Sequence, residues 1–129
     1  MDINLTNEAL QEEVIDSART IFRDLGKGHN ESVYECSLEV ELNLRNLVTI
    51  RRQVPKFIFY KGFSVGVGYI DLLLNDWFVI EIKTINRVTD KDEAQLKKYL
   101  TVNQPGLLLN FNPYSGNLGI YEAIGKGDG

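Results

Sequence analysis

Tyr69-Ile70-Asp71-Leu72-Leu73-Leu74, the polar pair Asn75-Asp76 and Trp77-Phe78-Val79-Ile80-Glu81-Ile82-Lys83 decide how this chain reads. Two apolar runs separated by a short polar pair predict a β-hairpin. Side chains alternate faces along a strand, so Glu81 and Lys83 point one way while Ile80 and Ile82 point the other. A turn centred near Asp76 sets Asp71 across from Glu81, with Cβ atoms roughly 5 Å apart. Two carboxylates so placed repel each other unless positive charge lies between them. A divalent cation beside the Lys83 ammonium resolves the repulsion, as expected of a metal-dependent phosphodiesterase. A plainer reading stands next to it: charges at the ends of apolar strands commonly just reach solvent. The two readings part on burial. Leu72, Leu74, Phe78, Ile80 and Ile82 form one face, and Tyr69, Leu73, Trp77 and Val79 the other. Apolar on both sides, the hairpin is expected at the covered centre of a sheet, where a carboxylate pair is costly unless compensated.

The bulk properties suit an ordinary folded domain. With 129 residues, 43% hydrophobic and 25% charged, the chain reads as one domain over 1–129 with a core of its own. One cysteine, Cys36, excludes an internal disulfide framework and a Cys-ligated cluster. One histidine, His29, argues against His-rich metal sites. No apolar run approaches the ~20 residues of a membrane span, and the N-terminus shows no basic-then-apolar signal. No membrane partner and a cytoplasmic location are expected. A net charge of −4 and a pI of about 5.0 do not favour phosphate backbones. Arg51, Arg52, Lys56 and Lys61 cluster, as do Lys91, Lys97 and Lys98. Solvated strand edges and helix faces explain these clusters at least as well as a phosphate track.

Outward from the hairpin, periodicity sets the elements. Leu10, Val14, Ile15, Ala18, Ile21, Phe22 and Leu25 predict an amphipathic helix over 7–25, capped by Thr6 or Asn7. A second helix runs from Glu31 to about Asn46, with Val33, Tyr34, Leu38, Val40, Leu42 and Leu44 as apolar positions and Ser37, Glu41 and Arg45 as its wet stripe. The period then changes to two. Strand 50–60 contains Pro55, which predicts an edge or a bulge. Gly66 and Gly68 in the strand 63–74 predict a bend or a close backbone approach. Asp90 with Glu93 predicts a capped helix start, running to about Val102. Strands at 106–111 and 118–124 follow, with a frayed tail after Gly125. The order α-α-β-β-β-α-β-β implies a meander of three strands. A helical crossover then leads to a strand parallel to one of them, giving an α/β (α+β) mixed sheet with helices on both faces.

These motifs in this order resemble the PD-(D/E)XK nuclease superfamily and, within it, the GxxExxY family. Gly28-His29-Asn30-Glu31-Ser32-Val33-Tyr34 matches the naming motif. Asp71-Leu72-Leu73 with Glu81-Ile82-Lys83 matches the acidic–acidic–lysine core, Gln95 to Leu100 the QxxxY helix, and Leu108 to Asn112 the late strand. The resemblance covers about 12–121. Phe22 and Asp92 or Glu93 depart from it, standing where histidines are expected.

The resemblance implies a restriction-endonuclease-like core and hydrolysis of a nucleic-acid phosphodiester, DNA or RNA, with Mg²⁺ (or Mn²⁺). Asp71 and Glu81 would ligate the metal, joined by the Ile82 carbonyl, a ligand supply that suits magnesium. Lys83 would position water or the scissile phosphate rather than act as a base. Glu31 would add an outer ligand, although an acid in a helix's first turn gains roughly 0.3–1 kcal/mol regardless of function. Gln95 would hydrogen-bond the site or a nucleotide. Tyr99, one turn on, shares its face and reads equally well as plain core, while Tyr34 is expected in the core, fixing Glu31. Glu35 and His29 are expected at the surface. A homodimer is expected because so small a nuclease core offers little surface to grip a duplex. The alternative is a non-catalytic module that keeps the fold and binds nucleic acid or protein.

Overall fold

A computed structural model describes residues 5–126. Helix α1 (Asn7–Leu25) begins at Thr6, whose hydroxyl accepts the Ala9 N–H, and α2 (Glu31–Arg45) ends at Asn46 in the left-handed conformation. Strands β1 (Ile50–Tyr60), β2 (Phe63–Leu74) and β3 (Phe78–Lys83) form the meander. Helix α3 (Asp90–Tyr99) crosses over to β4 (Pro105–Asn110), and β5 (Gly119–Ile124) follows. The five strands lie in the order β1-β2-β3-β4-β5, antiparallel except for the parallel β3–β4 pair that the crossover requires. The expected α/β mixed sheet is therefore present.

Two cores flank it. Leu10, Val14 and Ala18 of α1 and Leu38 and Leu42 of α2 pack on Leu72, Leu74, Phe78, Ile80 and Ile82. On the other face, Leu96 and Leu100 pack on Ile70, Leu73, Val79 and Leu108. Strands β3 and β4, covered on both sides, are buried along nearly their whole length, which is why they read as continuous apolar runs.

Several boundaries differ from the sequence reading. Helix α3 ends at Tyr99 rather than near Val102, because Leu100 turns extended and the chain closes on Gln104, whose side-chain oxygen accepts the Thr101 N–H. Its cap is Thr89, one residue early, with Asp92 accepting from both the Thr89 N–H and its hydroxyl. On α2, Val33, Val40 and Leu44 are exposed instead of buried. Only Tyr34, Leu38 and Leu42 among the expected apolar positions face inward, and Glu35 takes the fourth buried position. Tyr69 and Trp77 are likewise exposed, so the hairpin is covered only where β3 accompanies it. Gly125 is held by hydrogen bonds to Gln104 and Asn103, and the rest of the expected frayed tail (127–129) lies outside the described residues.

Candidate functional site

The site begins at an interruption. Antiparallel register sets Gln53 of β1 opposite Asp71 of β2, yet this pair is missing from the ladder between Arg52↔Leu72 and Val54↔Ile70. Gln53 adopts φ 51°, in the left-handed region. Ile70 and Leu72, which strict alternation would place on one face, consequently join different cores. The β2–β3 ladder also stops at Leu72↔Ile80, one step short of the Asp71/Glu81 pair that its register puts next. Where the strands part, the Asp71 carboxylate takes over: its Oδ2 accepts the Ile82 N–H at 2.7 Å. Asp71 thereby ties β2 to β3 through its side chain and turns toward Glu81.

Glu81 is the buried member, with its side chain 10% exposed. One oxygen, Oε1, lies 3.9 Å from the Lys83 ammonium, while Oε2 is buried with no hydrogen-bond partner among the described residues. Burial, reinforced by the charges of Asp71, Glu31 and Glu35 and opposed by Lys83, pushes its pKa up to about 8. Burial also raises the Asp71 pKa, against the Ile82 N–H that holds it down. The solvated-strand-end reading therefore fails for Glu81 on burial.

The loop 26–30 and the first two turns of α2 bring up two more acids. The Tyr34 hydroxyl donates to the Gly26 carbonyl at 2.6 Å and accepts the His29 N–H, while its ring stacks on Phe111 with centroids 4.5 Å apart. This pins the loop ahead of Glu31, which is exposed yet close enough for its charge to bear on both Asp71 and Glu81. Phe22, the departure from the expected histidine, sets its ring toward Phe111.

Glu35 was expected at the surface but is buried. The Arg52 guanidinium donates to it at 3.2 Å, and the Gln53 side-chain amide reaches both its oxygens at 3.1 Å and Asp71 Oδ1 at 3.3 Å. A legible signal existed: Glu31, Glu35, Leu38 and Leu42 recur at helical spacing on one face. What the sequence could not show was that Arg52 and Gln53 would meet that face.

The structure thus brings Asp71, Glu81, Lys83, Glu31 and the Ile82 backbone to one place. Gln95 is exposed on α3, where it lines a groove with Lys56, Phe57, Ile58, Lys98 and Tyr99 and makes no hydrogen bond to the carboxylates. Asp92, the other departure, lies where its charge and that of Lys83 interact.

A hard cation fits this donor set. An orphaned buried carboxylate oxygen whose ionisation is opposed by three neighbouring acids is stabilised by bound positive charge. No three His, Cys, Asp or Glu side chains among the described residues converge into a ready-made cage, so the donors suit an ion that takes one or two carboxylates and keeps its waters.

A family model described as the PD-(D/E)XK nuclease superfamily matches residues 8–122. No curated protein and no solved structure matches the chain.

Proposed function

Because the chain belongs to the PD-(D/E)XK nuclease superfamily, we propose that it is a divalent-metal-dependent nuclease cutting DNA or RNA at the Asp71/Glu81/Lys83 site. The observation that carries this reading is the buried, unpartnered Glu81 oxygen beside Asp71 and Lys83. Asp71, Glu81 and the Ile82 carbonyl would hold Mg²⁺ or Mn²⁺. An ion held there would supply an acidified water and positive charge to offset that developing on the phosphoryl oxygens.

The remaining roles fall to the chain. Lys83 keeps its ammonium at the mouth of the acidic pair, where it attracts and orients the scissile phosphate. Asp71, locked by Ile82 and Gln53, is held in one rotamer before substrate arrives, which spares reorganisation during reaction. Glu31 adds negative charge at the rim, and Glu35 backs Asp71 through Gln53. Gln95, away from the carboxylates, is assigned to contact with the substrate strand. The narrower GxxExxY assignment, a single domain over 1–129, a cytoplasmic setting and pairing of two copies belong to the same proposal. No described helix is long and apolar enough to cross a membrane.

Hydrolysis of labelled single- and double-stranded DNA and RNA with Mg²⁺ or Mn²⁺ tests the reading. Lys83→Ala is expected to lower the rate by about 10²–10³ or more while leaving the fold intact. Cleavage that survives Lys83→Ala in a clean preparation removes the assigned role. Metal-independent binding without cleavage across all four substrates would establish the non-catalytic alternative.

A further inference from the structure

Beyond the site, β1 and β2 continue as a two-stranded arm. β3 accompanies β2 only over Leu72–Leu74, whereas β1 and β2 stay paired out to Tyr60↔Phe63. An isolated two-stranded ribbon is marginal in water and needs a third strand or a packing surface. Cover inside the chain is slight: Tyr99 lies against Gly68, where a Cβ would stand 2.5 Å from its hydroxyl, on the face shared by Lys56, Ile58 and Gly66. The opposite face, with Pro55, Val67 and Tyr69, is left exposed by the described residues.

The arm is nonetheless apolar on both faces. Phe57, Phe59, Tyr60, Phe63 and Tyr69 are between 51% and 75% exposed, and Ile58, Val65 and Val67 are comparably open. Together they present roughly 800 Å² of apolar side chain, given 150–250 Å² for a whole aromatic residue. Divided between the two faces, this gives each face a patch within the ~300–600 Å² of the largest on a typical monomer, while an arm covered on both faces would bury about one partner's share, ~800 Å², of a standard interface.

We propose that this arm is the surface through which two copies of the chain pair, each arm seated against the acidic body of the other copy. Addition of a strand at the β1 edge is disfavoured: Pro55 lacks an N–H, Gln53 is left-handed and the register shifts between Ile58 and Phe59. Charge agrees with a second copy as occupant. Residues 54–69 hold Lys56 and Lys61 and no acid, so the chain's negative excess lies wholly on the body that an incoming arm meets. A nucleic-acid strand is the poorer fit, since two lysines cannot track its phosphates.

The inference rests on the pairing named in the proposed function and not on its chemistry, so oligomeric state tests it whether or not the protein cuts. Light scattering on the full chain at about 100 μM, well above a micromolar dissociation constant, is expected to give twice the 14.7 kDa of one chain. Phe59→Glu with Phe63→Glu is expected to weaken pairing about 100-fold or more, as loss of two interface anchors does. Leu44→Glu, on exposed α2, should leave it unchanged. A lysine-reactive cross-linker on mixed isotope-labelled and unlabelled chains gives a second readout that needs no variant, with links between copies expected at Lys56 or Lys61. A monomeric wild type, a double variant that stays dimeric, or cross-links between copies confined to the helices would overturn the proposal. So would an unchanged mass in the double variant together with lost retention of a fluorescent single-stranded oligonucleotide, which would make the arm a nucleic-acid surface.

Discussion

Glu81 carries the sharpest consequence at the scale of the single residue. Its pKa of about 8 lies well above the 4.5 of an ordinary glutamate, so between these values the folded protein holds a proton that the unfolded chain has released. Stability then falls as pH rises, because the native state binds more protons than the unfolded one across that window. Without metal, the melting temperature should drop from pH 5 toward pH 8 on account of this group, and Glu81→Gln should flatten the decline and melt higher than wild type at pH 9. Added Mg²⁺ should raise the wild-type melting temperature more at pH 8.5 than at pH 6, since ionised Glu81 is the form that binds it, and should do little for Glu81→Gln. Differential scanning fluorimetry with a chelator control measures both. A wild type and a Glu81→Gln variant with parallel pH profiles would mean that this carboxyl ionises freely. The register that aims Asp71 at Glu81 was readable from the sequence because it depends on a short turn and a period of two, although the ladder itself stops one step before that pair. The burial of Glu35 was not, since it depends on Arg52 and Gln53 arriving from a strand 17 and 18 residues away.

Among the elements, the arm and α3 approach each other closely at Gly68. Gly68 lies where any Cβ would strike the Tyr99 hydroxyl and ring, at 2.5 to 3.0 Å. Gly68→Ala must move Tyr99 or bend the arm, and a cost of about 1–3 kcal/mol is expected from such overpacking. Chemical denaturation measures it, with Gly66→Ala as the comparison, because a Cβ there meets only ordinary contact with Ile58 at 3.6 Å. Equal effects at the two glycines would show that the Tyr99 contact sets nothing. Pro55 and the glycines did announce an irregular outer strand. The length of arm left uncovered could not be read, because alternating apolar residues predict burial without naming what buries them. The same blindness applied to α2, where six apolar positions competed for a stripe wide enough for three plus Glu35.

For the molecule as a whole, the two cores share one sheet. Leu108 in β4 is fully buried against the α3 side, and its neighbours Leu107 and Leu109 serve the other. Leu108→Ala is expected to cost about 2–5 kcal/mol, seen as a shifted denaturant midpoint with an unchanged slope if both cores unfold together. Two separated transitions would mean that they do not. Spatial strand order repeats chain order without exception, so every pairing except β3–β4 forms between strands joined directly by a turn. Hairpins close in microseconds, whereas a parallel pair must wait for its crossover. Asp71 and Glu81 therefore come together in a fast local step, and Leu108 takes part only in the slow one. Kinetically, the Leu108→Ala variant should lose stability through a retarded refolding limb if the parallel joint forms in the transition state. The acidic pair would by then already be adjacent, meeting its mutual repulsion on a ribbon still open to water, before either core has shut the solvent out.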